Sequence, residues 1–324
     1  MERVVVLGGS GFVGRAFCEQ WVTHFGAGGP RLVVPTRHRE RCKHLFTLPT
    51  VDVISARLTD DQGLAQLLRG ADAVVNLVGI LHGRSPEFEN AHVDLPQRLV
   101  MACVKAGVHR LVHLSALGVG EDSTALASVY LTTKANGERA MWTAHGPHLA
   151  VTVLRPSVIF GEHDRFLNLF AQLQAWMPVV LLPAAQATFQ PVWVEDVARA
   201  LVHSLLHPET AGQTLECVGP QVYTLAELVR LAGHFSGHPR PVLEVPLAVG
   251  RVQAAMLSMW PGEPLMSQDN LDSMSVPNVA TGRHPTLPSW GIVPASVEAV
   301  APHDLSCAWG VPDRFNLFRS WAGR

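Results

Sequence analysis

Apolar residues in this chain fall into short runs that alternate with helical stripes. Val4-Val5-Val6-Leu7 runs into Gly8-Gly9-Ser10-Gly11-Phe12-Val13-Gly14, after which Val13, Phe17 and Trp21 recur at every fourth position. The run predicts a strand, the glycines a tight turn, and the recurrence one face of a helix. Leu32-Val33-Val34 and Val51 to Ile54 predict the next two strands, and Leu64, Leu67 and Leu68 a short helical stripe. Ala73-Val74-Val75-Asn76-Leu77-Val78-Gly79 reads as a fourth strand, of the kind buried on both faces. A helix is expected over roughly Glu89 to Ala106, then strands at Arg110 to Ser115 and Ala150 to Leu154. This alternation predicts an α/β fold with a doubly wound parallel sheet of strand order 3-2-1-4-5-6. The expected division is a dinucleotide-binding domain over 1–160, completed by about 190–206, and a smaller discontinuous region over 161–189 and 207–324.

In the first turn, Gly8 lets the chain leave the strand sharply and Gly11, without a Cβ, lets a pyrophosphate approach the backbone. Gly14 allows the helix to lie close to the strand, and the helix N-terminus offers free N–H groups to phosphates. Gly8, Gly9, Ser10, Gly11, Phe12, Val13 and Gly14 are therefore the expected pyrophosphate site. After the second strand, Pro35-Thr36-Arg37-His38-Arg39 has no acidic residue to accept a hydrogen bond from a ribose 2′-OH. A guanidinium at Arg37 suits a 2′-phosphate, so NADP(H) is the expected cofactor, with NAD(H) the alternative. Leu58 is expected near the adenine, and Val78 and Gly79 near a ribose or the nicotinamide phosphate.

Tyr130 and Lys134 stand four apart, on one face of a helix. An ammonium there favours the phenolate, whose reference pKa is about 10, and can bond the nicotinamide ribose while tyrosine exchanges a proton with substrate. Tyr130 and Lys134 are thus candidate catalytic and cofactor-binding residues.

The spacing Gly8-x-x-Gly11-x-x-Gly14 resembles the short-chain dehydrogenase/reductase superfamily, and its Gly-Phe-Val-Gly ending the extended, epimerase-like branch. Leu154-Arg155-Pro156 resembles the segment that passes the nicotinamide, which adds Pro156 to the expected cofactor contacts. Pro191 to Ala198 resembles the returning segment, with Asp196 better placed as a helix N-terminal residue than as a catalytic acid. Three departures from the pattern stand out. Ala56-Arg57-Leu58 replaces Gly-Asp-Leu, His92 takes the register of an active-site Asn, and Leu117 falls where extended enzymes carry a catalytic Ser or Thr. Either Ser115, or a later residue such as Ser123 or Ser128, substitutes for that hydroxyl, or it is missing. Ser115 is the nearest and is taken as the candidate for both catalysis and cofactor contact.

With 324 residues, 48% of them apolar, and a net charge of −2, the chain is globular and unsuited to general nucleic-acid binding. Five scattered cysteines form no C-x-x-C pair, and the first strand begins too early to leave room for a signal peptide, so a cytoplasmic location is expected. His109 and His113 lie along a strand, where a spacing of four does not converge, and His145 and His148 flank a Gly-Pro, so no metal is expected. Thr224-Leu225-Ala226-Glu227 fits a helix-opening capping box. Pro246 to Trp260 carries only Arg251 as a charge. It is expected in the core, ahead of a role facing a partner or lying on a membrane.

The run Val75-Asn76-Leu77-Val78-Gly79-Ile80-Leu81, with the segments Pro264 to Leu271 and Trp290 to Val300, resembles bacterial relatives of the nucleotide-binding alpha-subcomplex accessory subunit of mitochondrial complex I. That resemblance implies a Rossmann fold, bound NADP(H), and a partner in a respiratory or quinone-related membrane system, with a peripheral place at the inner face of the membrane. It does not imply turnover. Two functions follow: an NADP(H)-dependent oxidoreductase or epimerase-like enzyme acting on an unknown small molecule, or a cofactor-binding accessory protein. Arg165 is the only arginine or lysine between Arg155 and Arg199, which weakens a nucleotide-sugar reading.

Overall fold

The computed structural model describes residues 1–58, 60–119, 128–258 and 267–309, without the side chains of 253–258 and 306–309. In chain order, β1 (Arg3–Leu7), α1 (Phe12–Phe25), β2 (Arg31–Thr36), β3 (Val51–Ser55), α2 (Asp61–Leu68) and β4 (Ala73–Asn76) form the first half of the sheet. They are followed by α3 (Ser85–Glu89), a π-helical turn at Asn90–Asp94, α4 (Leu95–Ala106), β5 (Arg110–Leu114), α5 (Val129–Ala144) and β6 (Ala150–Pro156). Then come β7 (Ile159–Phe160), α6 (Leu167–Trp176), β8 (Val180–Leu182), β9 (Thr188–Phe189), β10 (Val192–Trp193), α7 (Val194–Leu206) and β11 (Thr214–Cys217). The last described elements are β12 (Tyr223–Thr224), α8 (Leu225–Phe235), β13 (Val242–Glu244), α9 (Leu247–Ser258), α10 (Gln268–Ser273) and α11 (Val297–Trp309).

These elements make two compact units. The first comprises Met1–Pro156, Val194–Cys217 and Ala280–Val293, and the second Ser157–Trp193, Val218–Val279 and Pro294–Arg324. The first unit is an α/β fold around a parallel sheet of order β3-β2-β1-β4-β5-β6-β11. The order 3-2-1-4-5-6 is as expected, and the seventh strand is an addition. In Thr214-Leu215-Glu216-Cys217 the acid at Glu216 interrupts the apolar run, which hides the strand in the sequence. That carboxylate is fully buried and accepts from Thr281 N–H at 2.8 Å and Thr281 Oγ1 at 2.6 Å. Satisfied in this way, the acid can lie inside a sheet.

Alternation along the strands divides the core. Val5, Leu7, Val74, Leu111 and Val151 pack with Leu64, Leu99, Cys103 and Met141 from α2, α4 and α5. Val4 and Val6 turn to the opposite face, where α1 packs on α7. The fourth strand ends at Asn76, three residues earlier than expected, because the Asn76 Oδ1 accepts from Val78 N–H at 3.2 Å and turns the chain out of the ladder. The helix expected over Glu89 to Ala106 begins at Ser85, where Pro86 lies in the first turn and the Glu87 carboxylate accepts from Arg84 N–H at 2.8 Å.

In the second unit, Gln174 is buried between helices and its Nε2 donates to Val229 C=O at 2.7 Å. The Asn278 Oδ1 accepts from Ser157 Oγ at 2.6 Å and Val158 N–H at 3.0 Å. The capping box of α8 forms as its sequence predicts. The stretch from Pro246 departs from expectation. Leu247, Val249 and Val252 of α9 are exposed instead of core residues, and the position that turns inward is Gly250, whose backbone lies against Pro183. A glycine makes that contact without burying a side chain. The rest of the stretch, to Trp260, carries side chains outside the described residues. Among the described residues no helix is long and apolar enough to cross a membrane.

Arg110, at the start of β5, ties the amino ends of the strands to α7. Its Nε donates to Ser204 C=O at 3.1 Å, Nη1 to Ala150 C=O at 3.2 Å, and Nη2 to Thr152 Oγ1 at 2.6 Å and Thr210 Oγ1 at 2.7 Å. Burial pulls its pKa down to about 10, so it stays charged at neutral pH on hydroxyl and carbonyl acceptors. Replacing it by methionine fills the space but leaves those acceptors bare. Arg110→Met is expected to lose roughly 2–4 kcal/mol of stability in urea unfolding; an unchanged midpoint would refute the tie.

Candidate dinucleotide site

Six of the seven strands of the first unit carry expected site residues, all at or just beyond their carboxyl ends. Gly8 follows β1, Arg37 follows β2, Leu58 follows β3, Val78 and Gly79 follow β4, Ser115 follows β5, and Pro156 closes β6. In an open parallel sheet this is the edge where ligands bind.

The first turn fits a pyrophosphate. Gly8 has φ +78°, a left-handed conformation, and a Cβ there would meet the Leu77 carbonyl carbon at 2.9 Å. A Cβ on Gly14 would strike the Gly8 carbonyl and Gly9, so the helix can sit this close only as glycine. Gly11 is different: beyond the Gly8 carbonyl oxygen at 3.2 Å, a Cβ would meet nothing, and that open space lies at the helix N-cap. No side chain caps this N-terminus and its first turn has no acid, so its N–H groups and positive dipole end suit an anion. Arg37 stands exposed beyond β2, while the neighbouring Arg39 guanidinium lies over the Phe46 ring at 5.3 Å. Leu58 and Val78 are partly buried against the core.

The buried polar centre is built around Lys134. Its side chain is buried and its Nζ donates to Leu114 C=O at 3.1 Å. Burial lowers its pKa to about 8, against the opposing pull of Glu138 one turn further along α5. The Glu138 carboxylate is itself held by Arg155 Nε at 3.1 and 3.0 Å and by Trp142 Nε1 at 3.2 Å. Gly79 passes close by; a Cβ there would come within 3.2 Å of Lys134 Nζ. Tyr130 lies one turn before Lys134 on the same helix, half-buried, with its ring edge-on to His92 and Phe88 at 5.5 and 6.3 Å.

His92 sits in the π-helical turn, a feature that often marks functional positions. Its Nε2 accepts from Ile80 N–H at 3.1 Å, so the proton belongs on Nδ1, which donates to Thr133 Oγ1 at 3.1 Å. Burial, reinforced by the Lys134 charge, pulls its pKa down to about 3. A neutral ring thus pins the chain after β4 to α5, bridging two elements where an asparagine was the expected residue. Gly137 makes this possible: any Cβ would drive into the His92 carbonyl oxygen. A second histidine repeats the pattern. His113 Nδ1 accepts from Asn76 Nδ2 at 3.1 Å, and burial, then Lys134 and His92, push its pKa well below the usual range. Its Nε2 has no partner among the described residues.

The expected hydroxyls are placed as follows. Ser115 is buried, its N–H donates to Leu154 C=O at 2.7 Å, and its Oγ has no partner among the described residues. Ser128 caps α5, accepting from Leu131 N–H at 3.3 Å. Ser123 lies outside the described residues. Leu117 is buried, with its N–H on Pro156 C=O at 2.8 Å. Asp196 lies in the first turn of α7 and pairs with Arg199 at 2.9 Å. No group of three metal-ligating side chains occurs among the described residues. Sequence reading missed His113, Asn76 and the Glu138–Arg155 pair; a buried polar residue inside an apolar strand run was the available signal for the first two.

The glycine turn, the parallel sheet and the Tyr130–Lys134 helix define a Rossmann-type dinucleotide-binding protein of the extended short-chain dehydrogenase/reductase class. A profile of the NAD dependent epimerase/dehydratase family matches residues 4–223, and the chain belongs to that family. It is 28% identical over 309 residues to mouse (Mus musculus) mitochondrial NADH dehydrogenase [ubiquinone] 1 alpha subcomplex subunit 9, covering 90% of this chain and 77% of that one. It is 26% identical over 318 residues to the ceramide reductase of Caulobacter vibrioides, covering 97% and 90%. Its fold is similar to that of UDP-glucuronic acid 4-epimerase from Bacillus cereus in complex with UDP-glucuronic acid and NAD, with a TM-score of 0.64, 19% identity, and coverage of 86% and 95%.

The histidines set an acid dependence. In the unfolded chain His92 takes a proton as pH falls below about 6.5, whereas in the folded protein it stays neutral down to about 3. Stability is therefore lost as pH drops through that window, by up to about 1.4 kcal/mol per pH unit for one such histidine. His92→Asn should be less stable than the parent at pH 7, and the gap in urea midpoint should narrow at pH 5. A gap that widens would sink the neutral-bridge assignment.

Proposed function

We propose that the protein is an NADP(H)-dependent oxidoreductase that moves a hydride between the nicotinamide and a carbonyl or alcohol carbon of a small molecule, with Tyr130 as acid/base. The observation that carries this reading is the buried Lys134 ammonium on Leu114 C=O, one turn from Tyr130, at the strand edge that also holds the glycine turn. The backbone of Gly8, Gly9, Ser10, Gly11, Phe12, Val13 and Gly14 would hold the pyrophosphate, Arg37 the 2′-phosphate, and Leu58 the adenine side. Val78, Gly79, Ser115 and Pro156 would line the nicotinamide half. When bound, the nicotinamide supplies or accepts the hydride. Tyr130 gives the substrate oxygen its proton as the carbonyl is reduced, and takes it back in the reverse direction. Lys134 holds the ribose and, as a cation, favours the phenolate that remains. Ser115 is the hydroxyl nearest to a role in polarising the substrate oxygen. The name of the Caulobacter relative, a reductase covering almost this whole chain, favours reduction over sugar-nucleotide epimerisation.

One observation favours a second reading, a cofactor-binding accessory protein of a respiratory or quinone-related system. Leu117, buried and apolar, fills the position of the expected hydroxyl, and the mouse relative is by name a subunit of a larger dehydrogenase.

Denaturing the purified protein should release NADP(H), identified by mass spectrometry. Arg37→Ala should shift the preference toward NAD(H) by about tenfold or more, in line with the loss of a charge-assisted contact; release of NAD(H) alone from the parent would overturn the assignment of Arg37. Incubation of the loaded protein with cell extract should change the redox state of the nucleotide. Tyr130→Phe should slow that change by roughly two orders of magnitude or more while cofactor stays bound. If Tyr130→Phe also sustains function in cells, the accessory reading wins.

A further inference from the structure

We propose that His284 is a positioning residue of the dinucleotide centre: from the Ala280–Val293 strap it holds the Arg155 guanidinium on Glu138, and through that pair it sets the charge around Lys134. The proposal rests on the reading of Lys134 as the cation that serves the cofactor. It adds a residue that lies far along the chain from that lysine and that no motif marks, standing between Arg283 and Pro285.

The sheet brings the parts together. β6 and β11 pair in parallel, and Arg155 and Glu216 are direct register partners. The strap, part of the same compact unit, meets both residues. Glu216 N–H donates to Pro285 C=O at 2.9 Å, and the Glu216 carboxylate accepts from Thr281 N–H at 2.8 Å and Thr281 Oγ1 at 2.6 Å. His284 falls between these two anchors, and its Nε2 accepts from Arg155 Nη1 at 3.3 Å. The other nitrogens of the same guanidinium face the Glu138 carboxylate. Nε donates to Oε1 at 3.1 Å and to Oε2 at 3.0 Å, and Nη2 donates to Oε1. One planar fork thus joins α5 to the strap, with an acceptor on each side.

Chemistry fixes the direction of the contact. Arginine has no acceptor, so Nε2 of the imidazole must carry the lone pair and Nδ1 the proton. The pair it supports is deep: 3% of the Glu138 side chain and 12% of the Arg155 side chain are exposed. At that depth a guanidinium N–H without an acceptor is costly, and a fork that loses one acceptor shifts away from the other. Glu138 would then stand as a less neutralised carboxylate one turn from Lys134. Burial brings Lys134 down to about 8 against the opposing pull of Glu138, while His92 and His113 beside it stay neutral. Tyr130 lies one turn earlier on the same helix. Of these neighbours, Glu138 is the one whose charge Arg155 offsets, so it is the group through which a distant histidine can move the ammonium.

The test reads Lys134 directly. The chain has three lysines, of which Lys43 and Lys105 are exposed. In the full chain carrying Lys43→Arg and Lys105→Arg and labelled with carbon-13 at lysine Cε, the remaining signal belongs to Lys134, and NMR follows its titration. His284→Leu should raise the midpoint by about half a pH unit or more. His284→Gln, whose amide oxygen can accept from Nη1, should return it to the parent value. In an Arg155→Met background His284→Leu should add no further shift. Thr281, Pro285 and the stack of Trp290 on His203 at 5.2 Å still hold the strap, so the His284 variants should fold. A midpoint that His284→Leu leaves unchanged, whatever its effect on urea unfolding, would make His284 a strap anchor only and overturn the proposal. So would a shift that glutamine does not restore, or one that persists in the Arg155→Met background. Mass spectrometry of the released nucleotide is a separate readout. A shifted Lys134 in a protein that holds no NADP(H) keeps the His284 tie and removes the cofactor reading; an unmoved Lys134 in a protein that holds NADP(H) does the reverse.

Discussion

The polar centre at the carboxyl edge of the first unit's sheet is organised around one buried positive charge. An ammonium removed from water costs several kcal/mol unless acceptors and counter-charges are built around it. Lys134 has the Leu114 carbonyl as acceptor and Glu138 as counter-charge, and Glu138 is in turn clamped by Arg155. Lysine, glutamate and arginine together leave one surplus positive charge at the strand edge. The two nearest imidazoles cannot afford to add another, and both are held neutral. Their proton positions are then dictated: His92 receives on Nε2 and His113 on Nδ1. A centre with surplus positive charge and neutral neighbours is suited to a partner that brings oxygen atoms, whether of a ribose or of a phosphate.

Much of this unit could be read from sequence because its grammar is local. Val4 to Leu7 with Gly8, Gly11 and Gly14 specifies strand, turn and helix within a few residues, and the three glycines behave as their spacing implies. Tyr130 and Lys134 were legible for the same reason, since four residues on a helix define one face. What escaped was non-local. Glu216 disguised a strand because its partner, Thr281, lies far along the chain. His92 looked like a departure from an asparagine pattern; the two hydrogen bonds that define its role come from Ile80 and Thr133, on other elements. Leu247, Val249 and Val252 run against a rule that works on average, that apolar residues go inside. A single glycine making the inward contact was enough to defeat it.

The chemistry of the strand edge is asymmetric. The glycine turn has the geometry its spacing predicts, with an open Gly11 and an uncapped helix. Around Lys134 the residues differ from the resembled pattern: a neutral imidazole at the register of an asparagine, and Leu117 at the register of a hydroxyl. Retaining a dinucleotide and transforming a substrate are separable properties.

Glu216 also bears on where this chain can be divided. The family match ends at residue 223, a natural place to imagine the dinucleotide-binding half as free-standing. Yet Thr281 and Pro285, which satisfy the Glu216 carboxylate and N–H, come more than fifty residues later and belong to the same unit. A polypeptide cut at the family boundary would keep all the strands of the sheet and lose the lid on its last one, exposing the Glu216 side chain at a raw sheet edge. The compact unit that carries the candidate dinucleotide site is therefore not the amino-terminal segment alone. It is a spliced one, in which the Ala280–Val293 strap is carried across the gap.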